Sequence, residues 1–309
     1  MPVIRPYCAG DEQAILQLFR TVFQRELSLD AWRWKYQRNG EPPPVFVAEE
    51  EGQLVCHYGA LREPLIWEGE ERRAWNIVDV MCHPRYQGRG LFRKAAKAFI
   101  RRLCENRGLL IYGFPGERHR KLGELVIGYE PIAPVYRLRK PVPEVIPPLP
   151  GEVIVDGPLP VDWDARWSRL EARFAMVCRR DRHHLGWRYL VHPSKRYRLL
   201  TVRQKAAFSV VGIEGEKAYL MEFLLESEEP AEAARLLAAV ESIARSEGAS
   251  EIEGWFAPFA WESRFLAGPG GFSGDHAAHY VECQLFDPRL SAAWLAENFY
   301  YSLGDYDVF

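Results

Sequence analysis

Five prolines between positions 141 and 150 divide this chain of 309 residues near its middle. They are Pro141, Pro143, Pro147, Pro148 and Pro150. Each proline removes a backbone donor and fixes φ, so neither a helix nor a central strand can pass through this stretch. The prolines predict a semi-rigid linker over residues 141–152, with one domain at 1–140 and another at 153–309. A P-x-x-P ligand for an SH3-type domain is the alternative interpretation.

The composition is that of a globular protein with little net charge. Lys and Arg number 40 and Asp and Glu 42, which gives a net charge of −2. Binding nucleic acid through overall charge needs a basic chain, so we expect no such partner. The chain lacks an apolar run of about 18 residues and the apolar segment of a signal peptide, so we expect a cytoplasmic protein with no membrane partner. The oligomeric state stays open, and a homo-oligomer is compatible with the sequence.

The six cysteines indicate neither disulfides nor a metal site. They are Cys8, Cys56, Cys82, Cys104, Cys178 and Cys283. Because they form no C-x-x-C pair, we expect reduced, mostly buried thiols and neither a zinc site nor a redox motif. The adjacent His183 and His184 lack the carboxylate and histidine spacing of a ligand set, so no metal is expected there either.

The first domain alternates strand and helix patterns in the order β-α-α-β-β-β-α-β-α-β. Strands are predicted at 45–49, 54–61 and 65–68, and a helix with one apolar and one basic face at about 90–106. The apolar run Ile77 to Cys82 is interrupted only by Asp79. Such a run predicts a strand that is buried on both faces.

The second domain repeats parts of the first in the same order. W-K-Y at 34–36 is echoed by W-R-Y at 187–189, I-Y-G-F-P at 111–115 by I-E-G-W-F-A-P at 252–258, and Gly128-Tyr129 by Gly271-Phe272. The offsets are 153, 141 and 143 residues. Similar offsets predict a duplicated domain.

The segment V-M-C-H-P-R-Y-Q-G-R-G-L-F carries the clearest chemical signal. A buried strand ends, passes through Gly88 and Gly90, and turns into a basic helix. The glycines let the amides of about residues 88–92 point the same way, and the positive end of the helix dipole adds to them. Residues 85–121 hold eleven Lys or Arg against two acids, a local charge of +9. We therefore expect an anion site.

The run Gln87-Gly88-Arg89-Gly90 resembles the Q/R-x-x-G-x-G/A signature of the Gcn5-related N-acetyltransferases, or GNAT proteins. The resemblance covers about residues 1–140 and departs from the signature at Phe92. It implies an α/β (α+β) fold, with a mixed, mostly antiparallel sheet flanked by helices in each of two GNAT-like domains. It also implies that acetyl-CoA, or another acyl-CoA, is a cosubstrate. The implied CoA-binding residues are Val80, Met81 and Cys82 on the strand and Gln87, Gly88, Arg89, Gly90, Leu91, Phe92 and Arg93 after it.

The second domain resembles a degenerate copy of the first. Where the first copy has its glycine loop, the second has S-E-E-P-A-E-A-A-R, without glycine and with acidic side chains. We expect one CoA per chain, bound to the first domain.

Asp79 is the candidate proton acceptor for the attacking amine, because a carboxylate buried among apolar neighbours would have a raised pKa. The alternative is a structural carboxylate held by neighbouring amides. The tyrosine that donates a proton in the family maps to Glu124, so Glu124, the nearby Tyr129 or solvent would replace it. Cys82 as an acyl-carrying nucleophile is a further alternative, although no histidine base is placed to activate it.

Two groups of residues are candidates for the acceptor site. In the family, the loop between the first two helices covers this site, which points to Trp32, Trp34 and Tyr36. The C-terminal tail is aromatic and acidic, and its Asp305, Asp307 and Phe309 carboxylate suit a cationic acceptor. Core packing is the alternative for both groups.

These patterns predict an acyl-CoA-dependent N-acyltransferase, with acetyl-CoA as the expected donor and direct transfer to a small amine. Two alternatives stay open. One is a non-catalytic acyl-CoA sensor, which the missing tyrosine favours. The other is a tRNA-dependent aminoacyl transferase of the peptidoglycan-bridge type, against which the pyrophosphate loop argues.

Overall fold

The computed structural model describes residues 1–38, 40–105, 108–145 and 148–307. The chain divides into two compact units. The first contains Met1–Pro64, Arg72–Ile132 and Tyr280–Ala292, and the second contains Leu65–Glu71, Ala133–His279 and Ala293–Phe309. Each unit therefore takes strands from separate parts of the sequence.

The predicted order of elements in the first half is confirmed. The elements are β1 (Val3–Pro6), α1 (Glu12–Phe23), α2 (Leu29–Tyr36), β2 (Val45–Glu50), β3 (Gln53–Trp67), β4 (Glu70–Cys82), α3 (Leu91–Glu105), β5 (Leu110–Gly113), α4 (Glu117–Val126) and β6 (Glu130–Pro141). One detail differs: the strands predicted at 54–61 and 65–68 are a single strand, β3. Its residues are almost all buried, so packing keeps the chain extended through Pro64.

The second half follows a similar order. Its elements are β7 (Val153–Val155), α5 (Trp163–Glu171), β8 (Met176–Cys178), α6 (Arg182–Leu185), β9 (Tyr197–Val202), β10 (Ala207–Glu214), β11 (Lys217–Leu225), α7 (Pro230–Ser246), β12 (Glu251–Trp255), α8 (Trp261–Ala267), β13 (Ser273–Leu285), α9 (Ala292–Asn298) and β14 (Phe299–Tyr300). The π-helical turn Gly186–Leu190 extends α6 and carries the repeated W-R-Y.

The first unit is built on a mixed sheet of strand order β1-β2-β3-β4-β5-β13. The β4/β5 pair is parallel, and the β1/β2, β2/β3 and β5/β13 pairs are antiparallel. Helix α3 buries its apolar stripe against this sheet, with Ala95 and Phe99 packed on Val55, Trp75 and Ile111. The basic residues of α3 lie off this stripe, as its sequence predicted.

The second unit repeats this plan with strand order β6-β12-β11-β10-β9-β7. Here β11/β12 is the parallel pair, and the helix between those two strands is α7. The β6/β12, β10/β11, β9/β10 and β7/β9 pairs are antiparallel. Both sheets are thus mixed and mostly antiparallel, which confirms the predicted fold class.

The division by contacts differs from the predicted division at 1–140, 141–152 and 153–309 because strands are exchanged. Strand β6 follows α4 in sequence but pairs with β12, from Arg137 opposite Trp255 to Pro141 opposite Glu251. In return, the end of β13 pairs with β5, from Glu282 opposite Gly113 to Leu285 opposite Leu110. A strand belongs to the sheet that completes its hydrogen bonds. The proline-rich segment 141–152 therefore begins inside the second unit.

No helix within the described ranges combines the length and the apolarity needed to span a bilayer.

Candidate functional site

The loop between β4 and α3 has the backbone of an anion site. Gly88 and Gly90 have φ values of 78° and 70°, a region that L-residues rarely adopt. A Cβ at either position would meet no atom within 4 Å, so both glycines face open space. The first four amides of α3 have no partner within the helix and lie at the positive end of its dipole. The loop can therefore present N–H groups to an anion.

Side chains of the same loop hold it in place. The Gln87 side-chain amide donates to the carbonyl oxygen of Cys82 over 3.3 Å, which fastens the loop to the end of β4. The Arg89 guanidinium lies 4.6 Å from the Tyr86 ring centre and 3.5 Å from a carboxylate oxygen of Glu50. About half of the Arg89 side chain stays exposed, so its charge remains available at the loop.

A cleft of about 760 Å³ opens beside this loop. Nine of the ten residues predicted to bind CoA line it, all except Arg89. The opposite wall comes from α4, and sequence reasoning missed these residues: Arg118, His119, Lys121, Leu122, Leu125 and Val126, with Val22 of α1. Arg118 and Lys121 were counted only as part of the basic segment. The cleft thus has cations from both helices and apolar side chains between them.

The backbone pairing of β4 with β5 ends before the β4 residues that line the cleft. Their pairing covers only Ala74–Asn76 opposite Leu110–Tyr112. Three residues later, Asp79 has a φ of 50°, which an extended strand does not adopt. A left-handed residue of this kind bends a strand locally. Val80, Met81 and Cys82, which line the cleft, therefore lie beyond both the pairing with β5 and this left-handed residue.

Several buried groups hold Asp79 in this conformation. The Lys35 ammonium donates to its carboxylate over 2.9 Å, and the Tyr36 hydroxyl donates to the same oxygen over 2.7 Å. On the backbone side, the Nδ1 atom of His57 donates to the Asp79 carbonyl oxygen over 2.7 Å. Burial lowers the pKa of His57, so its ring is neutral and can make this contact without a buried charge.

The pKa of Asp79 moves in the direction opposite to the one expected. Burial alone would raise it, but the positive charge of Lys35 and the hydrogen bonds from Lys35 and Tyr36 together hold the pKa below its usual value. A carboxylate with a lowered pKa accepts protons poorly near neutral pH. The structural alternative considered from the sequence therefore describes Asp79 better than the role of general base.

A second buried cluster lies beneath α4. The hydroxyls of Tyr58 and Tyr129 hydrogen-bond to each other, and both rings are buried. A Cβ at Gly123 would lie 2.7 Å from the Tyr129 ring and 3.4 and 3.5 Å from the two carboxylate oxygens of Glu282, so only glycine lets α4 approach this closely. The Tyr58 ring also faces Phe92, 6.1 Å away, which lines the cleft. The two phenols thus stand directly behind the cleft wall.

Glu282 was missed by sequence reasoning because it comes from β13, far along the chain. It is 4% exposed, and its Oε2 atom has no hydrogen-bond partner among the residues that the structure describes. Burial, followed by the negative charge of Glu124, raises the pKa of Glu282 to about 8, while the positive charge of Arg120 opposes the shift. Glu282 therefore holds a proton at neutral pH. Glu124 itself is partly exposed and forms an ion pair with Arg120 on the surface of α4.

Residues 3–122 match the family model described as an acetyltransferase (GNAT) domain. This part of the chain is similar to a GNAT domain, over 120 of its 309 residues. The resemblance drawn from Gln87–Gly90 is thereby confirmed for the first unit. No curated protein sequence matches the chain significantly.

Solved structures share the fold over nearly the whole chain. A probable N-acyltransferase from Enterococcus faecalis has a TM-score of 0.69 at 14% identity, covering 92% of this chain and 73% of that one. A GCN5-related N-acetyltransferase from Kribbella flavida has a TM-score of 0.65 at 16% identity, covering 93% of this chain and 71% of that one. N-myristoyltransferase from Saccharomyces cerevisiae, with bound myristoyl-CoA, has a TM-score of 0.65 at 10% identity, covering 92% of this chain and 80% of that one. At these identities the likeness shows the fold, and it extends beyond residues 3–122 into the second unit.

The aromatic residues predicted to line an acceptor site are mostly core residues of the first unit. Trp32 is fully buried and packs on Tyr7 and Tyr36, and Tyr36 is 3% exposed with its hydroxyl committed to Asp79. A side chain without exposed surface cannot line an open pocket. Of the three, Trp34 alone is partly exposed and stays a proposal.

The C-terminal tail is packed within the second unit. Asp305 is buried and ion-paired with Arg180 over 2.6 Å, and Arg180 also donates to Glu222 over 3.0 Å. The Asp305 carboxylate also accepts from the Ser302 amide in a capping box. Asp305 is therefore a structural residue rather than an acceptor-binding one, because its charge is already neutralised. Asp307 is partly exposed, and Phe309 lies outside the described residues.

No metal-binding cluster of three or more His, Cys, Asp or Glu side chains occurs in the described ranges.

Asp79→Asn should reduce stability in a pH-dependent way. The folded-state pKa of Asp79 is lowered, so its contribution is present above the unfolded pKa of about 4 and is lost as pH falls through the folded pKa. Unfolding in urea should show a large difference between wild type and variant at pH 7, and a difference that shrinks below about pH 4. The exposed Asp30→Asn is the control. A difference independent of pH would contradict the assignment.

Asp305→Ala should lower the free energy of unfolding by about 3–5 kcal/mol, because it leaves Arg180 buried with less compensation. Glu26→Ala, which breaks the exposed pair with Arg20, should cost less than about 1 kcal/mol. Denaturant titrations measure both changes. Equal effects of the two substitutions would show that the tail is not anchored by Asp305.

Proposed function

We propose that the first unit binds one acyl-CoA in the cleft beside Gly88–Gly90 and transfers the acyl group directly to an amine. The observation that carries the proposal is the glycine loop at the N-terminus of α3, open toward a cleft lined by Val80, Met81 and Cys82. The family to which residues 3–122 belong supports acyl transfer in general. Acetyl-CoA as the donor and a small amine as the acceptor are the finer parts of the proposal.

The charges of the cleft fit a phosphate-rich ligand. Amides of the loop would bind the pyrophosphate, and Arg93, Arg118 and Lys121 line the same cleft and would neutralise the remaining phosphate charge. The edge of β4 beyond Asn76 is not paired with β5, so its backbone groups can bond the amides of the pantetheine arm. The apolar Leu122, Leu125 and Val126 would cover the arm from the side of α4.

The corresponding place in the second unit does not suit such a ligand. Helix α7 begins at Pro230 after Glu229, and no glycine lies in the turn before it. Glu232, in the first turn of α7, is held by Lys205 over 2.9 Å, and Glu228 lies 3.8 Å from Arg173. Carboxylates at a helix N-terminus repel a pyrophosphate. We therefore propose one CoA per chain.

In the proposed reaction, the amine nitrogen attacks the thioester carbonyl, a C–N bond forms, the C–S bond breaks and the CoA thiolate leaves. The amine loses one proton and the thiolate gains one, so a donor near the sulfur helps the leaving group. Tyr129 is the proposed donor; its hydroxyl is bonded to that of Tyr58 and is buried behind the cleft wall, so its side chain would have to gain access to the cleft to donate. Glu282, whose pKa burial raises to about 8, lies beside Gly123 and Tyr129 and is the proposed positioning residue of this cluster.

The non-catalytic sensor remains the second candidate, and one observation favours it. Asp79 has a lowered pKa and Glu124 is ion-paired, so neither side chain is free to serve as the base or acid predicted from the sequence. A thiol-release assay with acetyl-CoA and a panel of amines separates the candidates. Binding of acetyl-CoA without amine-dependent thiol release would favour the sensor.

Gly90→Glu should lower the affinity for acetyl-CoA about 100-fold or more, because it places a carboxylate in the anion loop and forces a side chain into a left-handed conformation. Gly69→Glu is the matched control: Gly69 has a φ of 76° and open space around it, but lies in the turn between β3 and β4. Calorimetry measures affinity and stoichiometry. Unchanged affinity in Gly90→Glu, or two sites per wild-type chain, would refute the assignment.

Tyr129→Phe should lower kcat. A general acid contributes roughly 10²- to 10⁴-fold to the rate, and we expect the low end of this range because a thiolate is a good leaving group.

Glu282→Gln should change the pH dependence of kcat. The protonated carboxyl is present below its pKa of about 8, so the wild-type kcat should decline above that pH and the variant should lack this decline. Tyr301→Phe, a buried tyrosine of the second unit, is the control. Identical pH profiles for wild type and Glu282→Gln would exclude the role of Glu282.

A further inference from the structure

Two cysteines face each other across neighbouring strands at the edge of the cleft. The His83 amide donates to the Val55 carbonyl oxygen over 2.9 Å, which places His83 opposite Val55 where β4 runs back along β3. Because the two strands run in opposite directions, Cys82, one residue before His83, lies opposite Cys56, one residue after Val55. Side chains of directly opposed residues on neighbouring strands lie on the same face of the sheet, and both cysteines belong to one apolar cluster. Directly opposed residues in an antiparallel pair have Cα atoms about 4.5–5.5 Å apart. This separation lies within the range of about 4.4–6.8 Å found for disulfides.

The two thiols differ in access. Cys82 lines the cleft and is partly exposed, whereas Cys56 is 1% exposed behind it. A solvent-borne oxidant would therefore react with Cys82 first, and Cys56 would then attack the oxidised Cys82 sulfur to form the disulfide. The hydrogen bond from Cys56 lowers the pKa of the Cys82 thiol, and the positive charge of Arg89 adds to this effect against the opposing effect of burial. The thiolate is the reactive form.

We propose that Cys82 and Cys56 are an oxidant-sensitive pair whose reversible disulfide closes the cleft to acyl-CoA. The closing of the cleft to acyl-CoA rests on the proposed function, whereas the formation of the disulfide does not. With hydrogen peroxide as oxidant, the Cys82 sulfur attacks one peroxide oxygen, an S–O bond forms, the O–O bond breaks, and water leaves with one added proton. The Cys56 sulfur then attacks the Cys82 sulfur, an S–S bond forms, and the S–O bond breaks to release a second water. Two thiols are oxidised by two electrons, and the peroxide is reduced to two waters.

The disulfide would act on the ligand site through the end of β4. The Cys82 carbonyl oxygen is the acceptor for the Gln87 side chain, which fastens the glycine loop. The Cys82 side chain also forms part of the cleft wall. Drawing its sulfur toward Cys56 changes both the wall and the anchor of the loop. The linkage also works in reverse, since a ligand that fills the cleft covers Cys82 and should slow its oxidation.

The experiment treats the full-length reduced protein with hydrogen peroxide and follows two readouts. Intact and peptide mass spectrometry after alkylation should show loss of two hydrogens and a Cys56–Cys82 crosslinked peptide, reversed by dithiothreitol. Calorimetry should show at least a tenfold weaker affinity for CoA in the oxidised protein, restored by reduction. Added CoA should slow the crosslinking.

Single substitutions separate this pair from the other cysteines. Cys56→Ser should form no crosslink, should trap Cys82 as a sulfenic acid that reacts with dimedone, and should retain more CoA affinity after peroxide than wild type does. Cys8→Ser, which removes an exposed cysteine in a turn, should behave like wild type in both readouts. Absence of the Cys56–Cys82 crosslink, or a crosslinked protein that binds CoA as tightly as the reduced one, would overturn the proposal. If the reduced protein fails to bind CoA, the proposed function fails, while the crosslink is judged by mass alone.

Discussion

The left-handed conformation of Asp79, in the strand that leads to the cleft, depends on one buried contact, the ion pair with Lys35. A left-handed aspartate in the middle of a strand is strained, and it persists only where its surroundings hold it. Here the carboxylate is held by Lys35 and Tyr36 of α2, and the carbonyl by the neutral ring of His57. Both ions of the pair are buried, so each needs the other to offset the loss of solvation. Through this contact, α2 fixes the conformation of β4 just before the residues that line the cleft.

The electrostatics of the first unit follow from where Asp79 lies. Beyond Asp79, β4 runs to the glycine loop and the amides of α3, and cations of α3 and α4 line the cleft beside this loop. Positive charge is concentrated there although the whole chain carries a net charge of −2. A local field of one sign within a cleft attracts a polyanion more strongly than the net charge suggests. Overall composition could exclude a general affinity for nucleic acids, but it could not reveal this site.

The sequence allowed the order of elements, the glycine loop and nine cleft residues to be predicted, because these depend on local patterns: periodicity, turn glycines and a helix start. It did not allow the state of Asp79 or Asp305 to be predicted. Their apolar or aromatic neighbours in sequence suggested a raised pKa and a free acidic tail. Their partners in space, Lys35 and Arg180, lie 44 and 125 residues away. A pKa is set by spatial neighbours, so local sequence gives its direction only when no distant ion pairs with the group.

Because β6 and β13 are exchanged, the segment that matches the family model lacks one strand of its own sheet. Residues 3–122 carry the family pattern, yet β5 completes its hydrogen bonds with residues 282–285 of β13. Without that strand, β5 would be an exposed edge, and edges of this kind invite pairing with other chains. The same strand brings Glu282 against Tyr129 and Gly123. The segment that completes the sheet therefore also completes the buried cluster behind the cleft, which ties the chemistry proposed for the first unit to residues near the end of the chain.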